Sequence, residues 1–155
     1  MVTEREPEPE REQRAFLFLV NPKLAYDPYP DWRRWIPQLD AGARIRSRWN
    51  TGARRRGMAA GDRGVVVKVG QAPRGAVALV EICSEIRLGP HWNPLARSRE
   101  TGYVDIEFTD LMELDAPVPL SMLRLVAPGV RWTPRMSGTE IPMQVVLELQ
   151  RLVRR

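Results

Sequence analysis

Apolar positions along the chain fall into short runs, separated by segments rich in Gly, Pro and Arg. AFLFLV (15–20) is six apolar residues in a row, the length and composition of a buried strand. The three prolines of NPKLAYDPYP predict a loop over 21–30. In DWRRWIPQL (31–39), Trp32, Trp35, Ile36 and Leu39 recur at helical spacing behind Asp31, a candidate N-cap. Pro37 limits that helix to a turn or two. ARIRSRW (43–49) predicts a strand or an extended loop, and RGVVVKV (63–69) a strand. After the turn signal QAPRG, AVALVEICSEIRL (76–88) predicts one long strand, and GPHWNPLARSRETG (89–102) a polar loop. YVDIEFTDLMEL (103–114) opens by alternating Tyr103, Ile106 and Phe108 with Asp105, Glu107 and Asp110, out of step at Val104. SMLRLV (121–126) predicts a last short strand, and WTPRMSGTEIP (132–142) a loop. MQVVLELQRLVRR (143–155) predicts an amphipathic helix with Val146, Leu149 and Val153 on one face, Pro142 in its first turn and Thr139 as cap.

Five or six short strands without regular βα alternation, one short helix and a long C-terminal helix point to an α+β domain with a curved sheet or small barrel. The 155 residues suit one domain. We place it at 15–155, after a charged, Pro-containing segment, 1–14, expected to be a disordered acidic tail. No apolar run approaches the roughly 18–20 residues of a membrane span, and the first residues have no secretory apolar core. The expected location is cytoplasmic, with no membrane partner.

Charge changes the picture more than composition does. The net charge is +5, yet 1–14 is acidic, and residues 44–63 hold seven Arg against Asp62 alone. Only Lys23 and Lys68 break the dominance of Arg. Guanidinium groups suit phosphate and base edges, and Arg48, Arg54, Arg55 and Arg56 are candidate phosphate contacts. An Arg-rich solvated loop is the alternative. Of five Trp, Trp32 and Trp35 fit a core, whereas Trp49, Trp92 and Trp132 lie in or beside loops. There each either plugs a core edge or forms a platform for an unstacked base.

Catalysis has less support. Cys83 and His91 are the only candidates for a nucleophile and base, but Cys83 sits in an apolar strand pattern, where free Cys is a small hydrophobe. One Cys and one His make a structural zinc site untenable, and no phosphate-binding Gly-rich loop occurs. The acids at 105, 107 and 110 fit the wet face of a sheet. We expect no enzyme activity, no cofactor and no metal.

Six motifs occur in order: FLFLVNP, a Trp-polar pair before GDRGVVV, APRGAVALVEI, GPHWNP, GYVDIEF and RWTPRMSGTEIP ahead of a closing helix. In that order, from Ala15 to about Leu152, the chain resembles an EVE domain of the restriction-associated branch, and its layout is similar to the YTH domain. Both belong to the PUA-like superfamily, with SRA and ASCH domains. The resemblance implies a small curved β-barrel of five to six strands flanked by helices. It further implies a pocket for one modified base, flipped from DNA or splayed from RNA. Carried over, Trp49 is the first aromatic wall, Asn50 the polar residue beside it and Asn21 a base-edge contact. Trp92 or Tyr103 supplies the second wall, and Trp132 and Ser137 belong to the late "W…SG" segment. The expected function is a modified-base reader of DNA carrying 5-methyl- or 5-hydroxymethylcytosine, serving a separate nuclease chain. A single-stranded RNA reader and a protein-interaction adaptor are the alternatives.

Overall fold

A computed structural model describes residues 11–154. Its strands are β1 (Ala15–Val20), β2 (Arg46–Asn50), β3 (Arg63–Lys68), β4 (Gly75–Ile82), β5 (Arg87–Pro90), β6 (Glu100–Leu111), β7 (Val118–Pro119) and β8 (Thr139–Ile141). Its helices are α1 (Tyr29–Asp40), α2 (Leu120–Val126) and α3 (Met143–Val153). The strands form one mixed sheet in the order β2-β6-β4-β3-β1-β8, with β5 also pairing β6 and β7 pairing β4. Only β1 and β3 pair in parallel, so the chain between them must cross over, and it does so through α1 and β2.

Both faces of the sheet are covered, which is why β1 is apolar without alternation. Phe16, Phe18 and Val20 join a core with Trp32 of α1 and with Val104, Ile106 and Phe108 of β6. Ala15 and Leu17 face the opposite core, with Leu123 of α2 and Val145, Val146 and Leu149 of α3. On β6 the residue out of step is Tyr103, not Val104, which belongs to the core row.

The fold class is the α+β class expected, with eight strands in place of five or six, and the sheet does not close into a barrel. The ladder ends at β2 and at β8. Several elements differ from their sequence patterns for local reasons. The predicted strand at 121–126 is helix α2, because Leu120 and Leu123, three apart, pack one side onto the second core. Thr139 pairs with Leu17 in β8, and Pro142 caps α3. The 76–88 run breaks after Ile82, where Cys83 N–H donates to the Asp105 carbonyl and Ser84 Oγ accepts from Asp105 N–H. Helix α1 begins behind Pro28 and continues past Pro37 to Asp40, held by the packing of Trp32, Trp35, Ile36 and Leu39 on the first core. Asp31 lies in its first turn and is not the cap.

The GD turn before β3 has an electrostatic role. The buried Asp62 carboxylate accepts from both terminal guanidinium nitrogens of Arg11 and from the backbone N–H of Arg14 and Ala59. Arg14 also pairs with Glu140 at 2.6 Å. Residues 11–14, expected within the disordered tail, are therefore ordered by charge, and the rest of that tail lies outside the described residues.

Lys68 is fully buried at the end of β3, where its Nζ donates to the Leu114 carbonyl. Burial pushes its pKa below the usual value, with Asp115 opposing weakly. Below that depressed pKa both states are charged and the folded state carries the desolvation cost. Above it the unfolded chain binds more protons, so this group's contribution to stability rises with pH until the unfolded pKa of about 10.4 is passed. Urea titrations from neutral pH upward are expected to show that rise in the native chain relative to Lys68→Met, and parallel profiles would remove the assignment.

Candidate functional site

The site begins with one peptide unit. Strand β8 pairs β1 only over Ala15–Leu17, so Leu19, facing the same edge, has no strand beside it. Buried backbone groups left unpaired are costly. Two side chains from elsewhere take their place. Ser137 Oγ accepts the Leu19 N–H at 2.9 Å, and Trp49 Nε1 donates to the Leu19 carbonyl at 3.0 Å. Trp49 belongs to β2, on the far edge of the ladder, so this bond measures how far the sheet curls.

A pocket of about 330 Å³ opens beside that junction, at the low end of the roughly 300–1,000 Å³ of small-ligand sites. Five of the sequence-predicted residues line it: Asn21, Trp49, Asn50, Trp92 and Tyr103. Arg48, expected as a phosphate contact, lines it as well, and so do Tyr26, Asp31 and Ser47, for which the sequence pattern predicts no site role. Trp49 is only 7% exposed, with the Tyr26 and Trp32 rings edge-on at 5.9 and 6.2 Å. It is thus both a core residue and a pocket wall. Trp92 is half-buried in the 91–99 loop and stacks on His91 at 5.5 Å between centroids.

Tyr103 is already engaged. Its hydroxyl donates to the Pro90 carbonyl at 2.6 Å, and the Arg48 guanidinium lies 4.2 Å from its ring centroid. Burial raises the phenol's pKa, against the Arg48 charge, keeping it neutral. That leaves Trp92 as the less committed of the two candidate second walls.

The polar lining offers both donors and acceptors. Asn21 Oδ1 accepts the Lys23 N–H, and Asn50 Oδ1 accepts the Gly52 N–H, both two residues onward in Asx turns. Each amide NH₂ is without a partner among the described residues. Asp31 adds acceptors: its carboxylate takes the Tyr26 hydroxyl and Arg34, and retains free lone pairs. Burial and Asp31 together drive the Tyr26 pKa far upward, so that hydroxyl stays a donor.

The remaining predicted residues lie elsewhere. Trp132 is buried in the second core and donates to the Ala127 carbonyl, away from the pocket. Ser137 is the Leu19 tie just described. The Arg run divides by role. Arg54 Nε donates to the Gly138 carbonyl at 2.6 Å and its guanidinium covers the Phe16 ring at 4.9 Å, so it fastens loop to loop. Arg55 spends one nitrogen on the Gly52 carbonyl, and Arg56 is exposed. The loops meet at two glycines with positive φ. A Cβ on Gly52 would stand 2.4 Å from the Ser137 carbonyl oxygen, and one on Gly138 2.3 Å from that of Thr51.

Cys83 lines none of the three cavities around these loops, and burial raises its thiol pKa, disfavouring the thiolate. His91 Nδ1 accepts the Asn93 N–H. Among the described residues no cluster of His, Cys, Asp and Glu can hold a metal ion, and no helix is long and apolar enough to cross a membrane.

The chain matches no protein-family model and no curated protein sequence. It is similar in structure to a hypothetical protein from Leishmania major, at 12% identity and TM-score 0.62, covering 92% of this chain and 96% of that one. Human THYN1, crystallised with DNA containing 5-methylcytosine, matches at 15% identity and TM-score 0.57, covering 92% and 99%. The YTH domain-containing protein mmi1, solved with RNA, matches at 13% identity and TM-score 0.53, covering 91% and 81%. Likeness at these identities carries the fold alone.

Two substitutions test the junction. Trp49→Phe keeps a ring but strips the Leu19 carbonyl of its donor, and should lower unfolding free energy by about 1–3 kcal/mol in urea titrations. Gly138→Ala should cost at least as much, about 1–2 kcal/mol from left-handed backbone alone.

Proposed function

We propose that this protein is a nucleic-acid reader that takes one modified base into the pocket between Trp49 and Trp92. The observation that carries the reading is the pocket itself: two indoles and two Asn amides, whose oxygens are spent in turns, converge on one small cavity. Aromatic platforms hold unstacked bases, and side-chain amides and carboxylates read their edges. Removing a base from a duplex costs a few kcal/mol, and stacking worth about 1–3 kcal/mol per base offsets it.

The base we favour is a 5-substituted cytosine in DNA. Cytosine presents two adjacent acceptors, O2 and N3, and one donor, N4. Two amide donors and the Asp31 carboxylate complement that set. The structural likeness to THYN1, solved with 5-methylcytosine DNA, supports the same choice, while the likeness to mmi1 supports RNA as the second reading. A methyl group alone gives only about 10–200-fold discrimination in an apolar pocket, so selectivity should be modest. We assign no reaction to the site. The raised Cys83 pKa and that residue's absence from all three cavity linings support binding over catalysis.

Fluorescence anisotropy decides between the readings. Matched DNA and RNA oligonucleotides would carry cytosine, 5-methylcytosine, 5-hydroxymethylcytosine or N6-methyladenine. Preference for a 5-substituted cytosine in DNA is expected, with affinity lowered about 5–150-fold by Trp92→Ala, the equivalent of one stacked base. Preference confined to RNA would select the second reading. Equal binding of all probes, unchanged by Trp92→Ala, would leave an adaptor.

A further inference from the structure

The base pocket is not isolated. A second cavity of about 370 Å³ shares Leu19, Asn21, Asn50 and Trp92 with it. A third, more open and about 620 Å³, shares Ala53, Arg55, Arg135, Met136 and Ser137 with the second. The three form a continuous track from the pocket, past the 91–99 loop, to the seam between the 52–57 and 134–140 loops.

The character of the lining changes along the track. Leu24 and Met136 line the second cavity and are 48% and 49% exposed, an unusual placement for two large apolar side chains in one concavity. Trp92 lines the same cavity. Further on, the groups are cationic: Arg55 and Arg56 are exposed, and Arg135 is exposed with no ion-pair partner among the described residues. Of the acids there, Glu140 is neutralised by Arg14 at 2.6 Å, and Glu100 lines the second cavity. The floor is already built, because Arg54, Gly52, Ser137 and Gly138 lock the two loops together.

We propose that this track seats the nucleotides on one side of the captured base, as an unpaired strand. It rests on the reading of the first pocket. The neighbouring base lies on Leu24 and Met136, beyond Trp92, and the next phosphates lie on Arg55, Arg56 and Arg135. A duplex cannot use the second cavity without breaking a further pair, since a paired base presents no free face to an apolar floor. The ligand is therefore single-stranded, or opened locally, on that side. DNA and RNA share this chemistry and are separated by the probe's sugar.

The test uses the whole chain and labelled single strands with the preferred base at one end: a mononucleotide, a trinucleotide and a pentanucleotide in both polarities, and a pentamer paired to its complement. Affinity is expected to rise about tenfold or more with length in one polarity only, and to fall when the strand is paired. Arg55→Gln with Arg135→Gln should abolish the gain and reduce the slope of log affinity against log salt by about 1.4, near 0.7 for each single-strand phosphate that is no longer neutralised. A gain of equal size in both polarities, or one untouched by the double variant, overturns the track. The pocket is read separately, by preference for modified over plain base. Loss of that preference with the polar, Arg-dependent gain intact overturns the pocket and leaves the track standing.

Discussion

Both backbone groups of Leu19 must be paired, and no strand is available to pair them. That requirement organises the structure. Had β8 been two residues longer, a ladder would have covered them. Instead one hydrogen bond comes from the 134–140 loop and the other from an indole on the opposite edge of the sheet. The sheet is drawn round toward a cylinder without closing, and the gap that remains is the pocket. Stability and site are thus coupled at the level of individual bonds: Trp49 is simultaneously a core residue, an edge cap and a wall.

Arginine is used for two purposes over a short stretch. Arg11, Arg14 and Arg54 hold the molecule together through Asp62, Glu140, Gly138 and the Phe16 ring. Arg55, Arg56 and Arg135 remain at the surface. The planar guanidinium serves both, stacking on a ring while its edge donates to a carbonyl, which Lys cannot do. Net charge alone overstates the binding surface, because part of it is spent internally.

How much of this was legible in the sequence depended on whether the signal was local. Strands β1 and β3 were plain, since a sheet buried on both faces leaves unbroken apolar runs. Strand β8 was not, because three residues in a polar loop become a strand only when β1 is beside them. Helix α2 read as a strand because so short an apolar run fits either period. Pro37 was overruled by tertiary packing of the four apolar residues around it. At the site, Trp49, Asn50, Asn21 and Trp92 came from motif order, and they do meet at one cavity. Tyr26, Asp31 and Ser47 carried no signal: a Tyr in a Pro-rich loop, an apparent helix cap and one Ser of an Arg-rich strand. Trp132 fell to the wrong side of the sheet, a distinction that requires knowing which face its loop approaches.

The two Asx turns have a final consequence. A free asparagine can rotate its amide and offer either an oxygen or an NH₂ group to a ligand. Asn21 and Asn50 have given up that choice, since rotation would break the bonds to Lys23 and Gly52. The two amides consequently present only hydrogens to the cavity. A ring nitrogen bearing a lone pair meets a hydrogen, whereas one bearing a proton meets another proton. Under the proposed reading, cytosine and 5-methylcytosine differ in this respect at N3 from their deamination products, uracil and thymine, so a lesion that leaves the ring's size almost unchanged reverses its electrostatic match to the site.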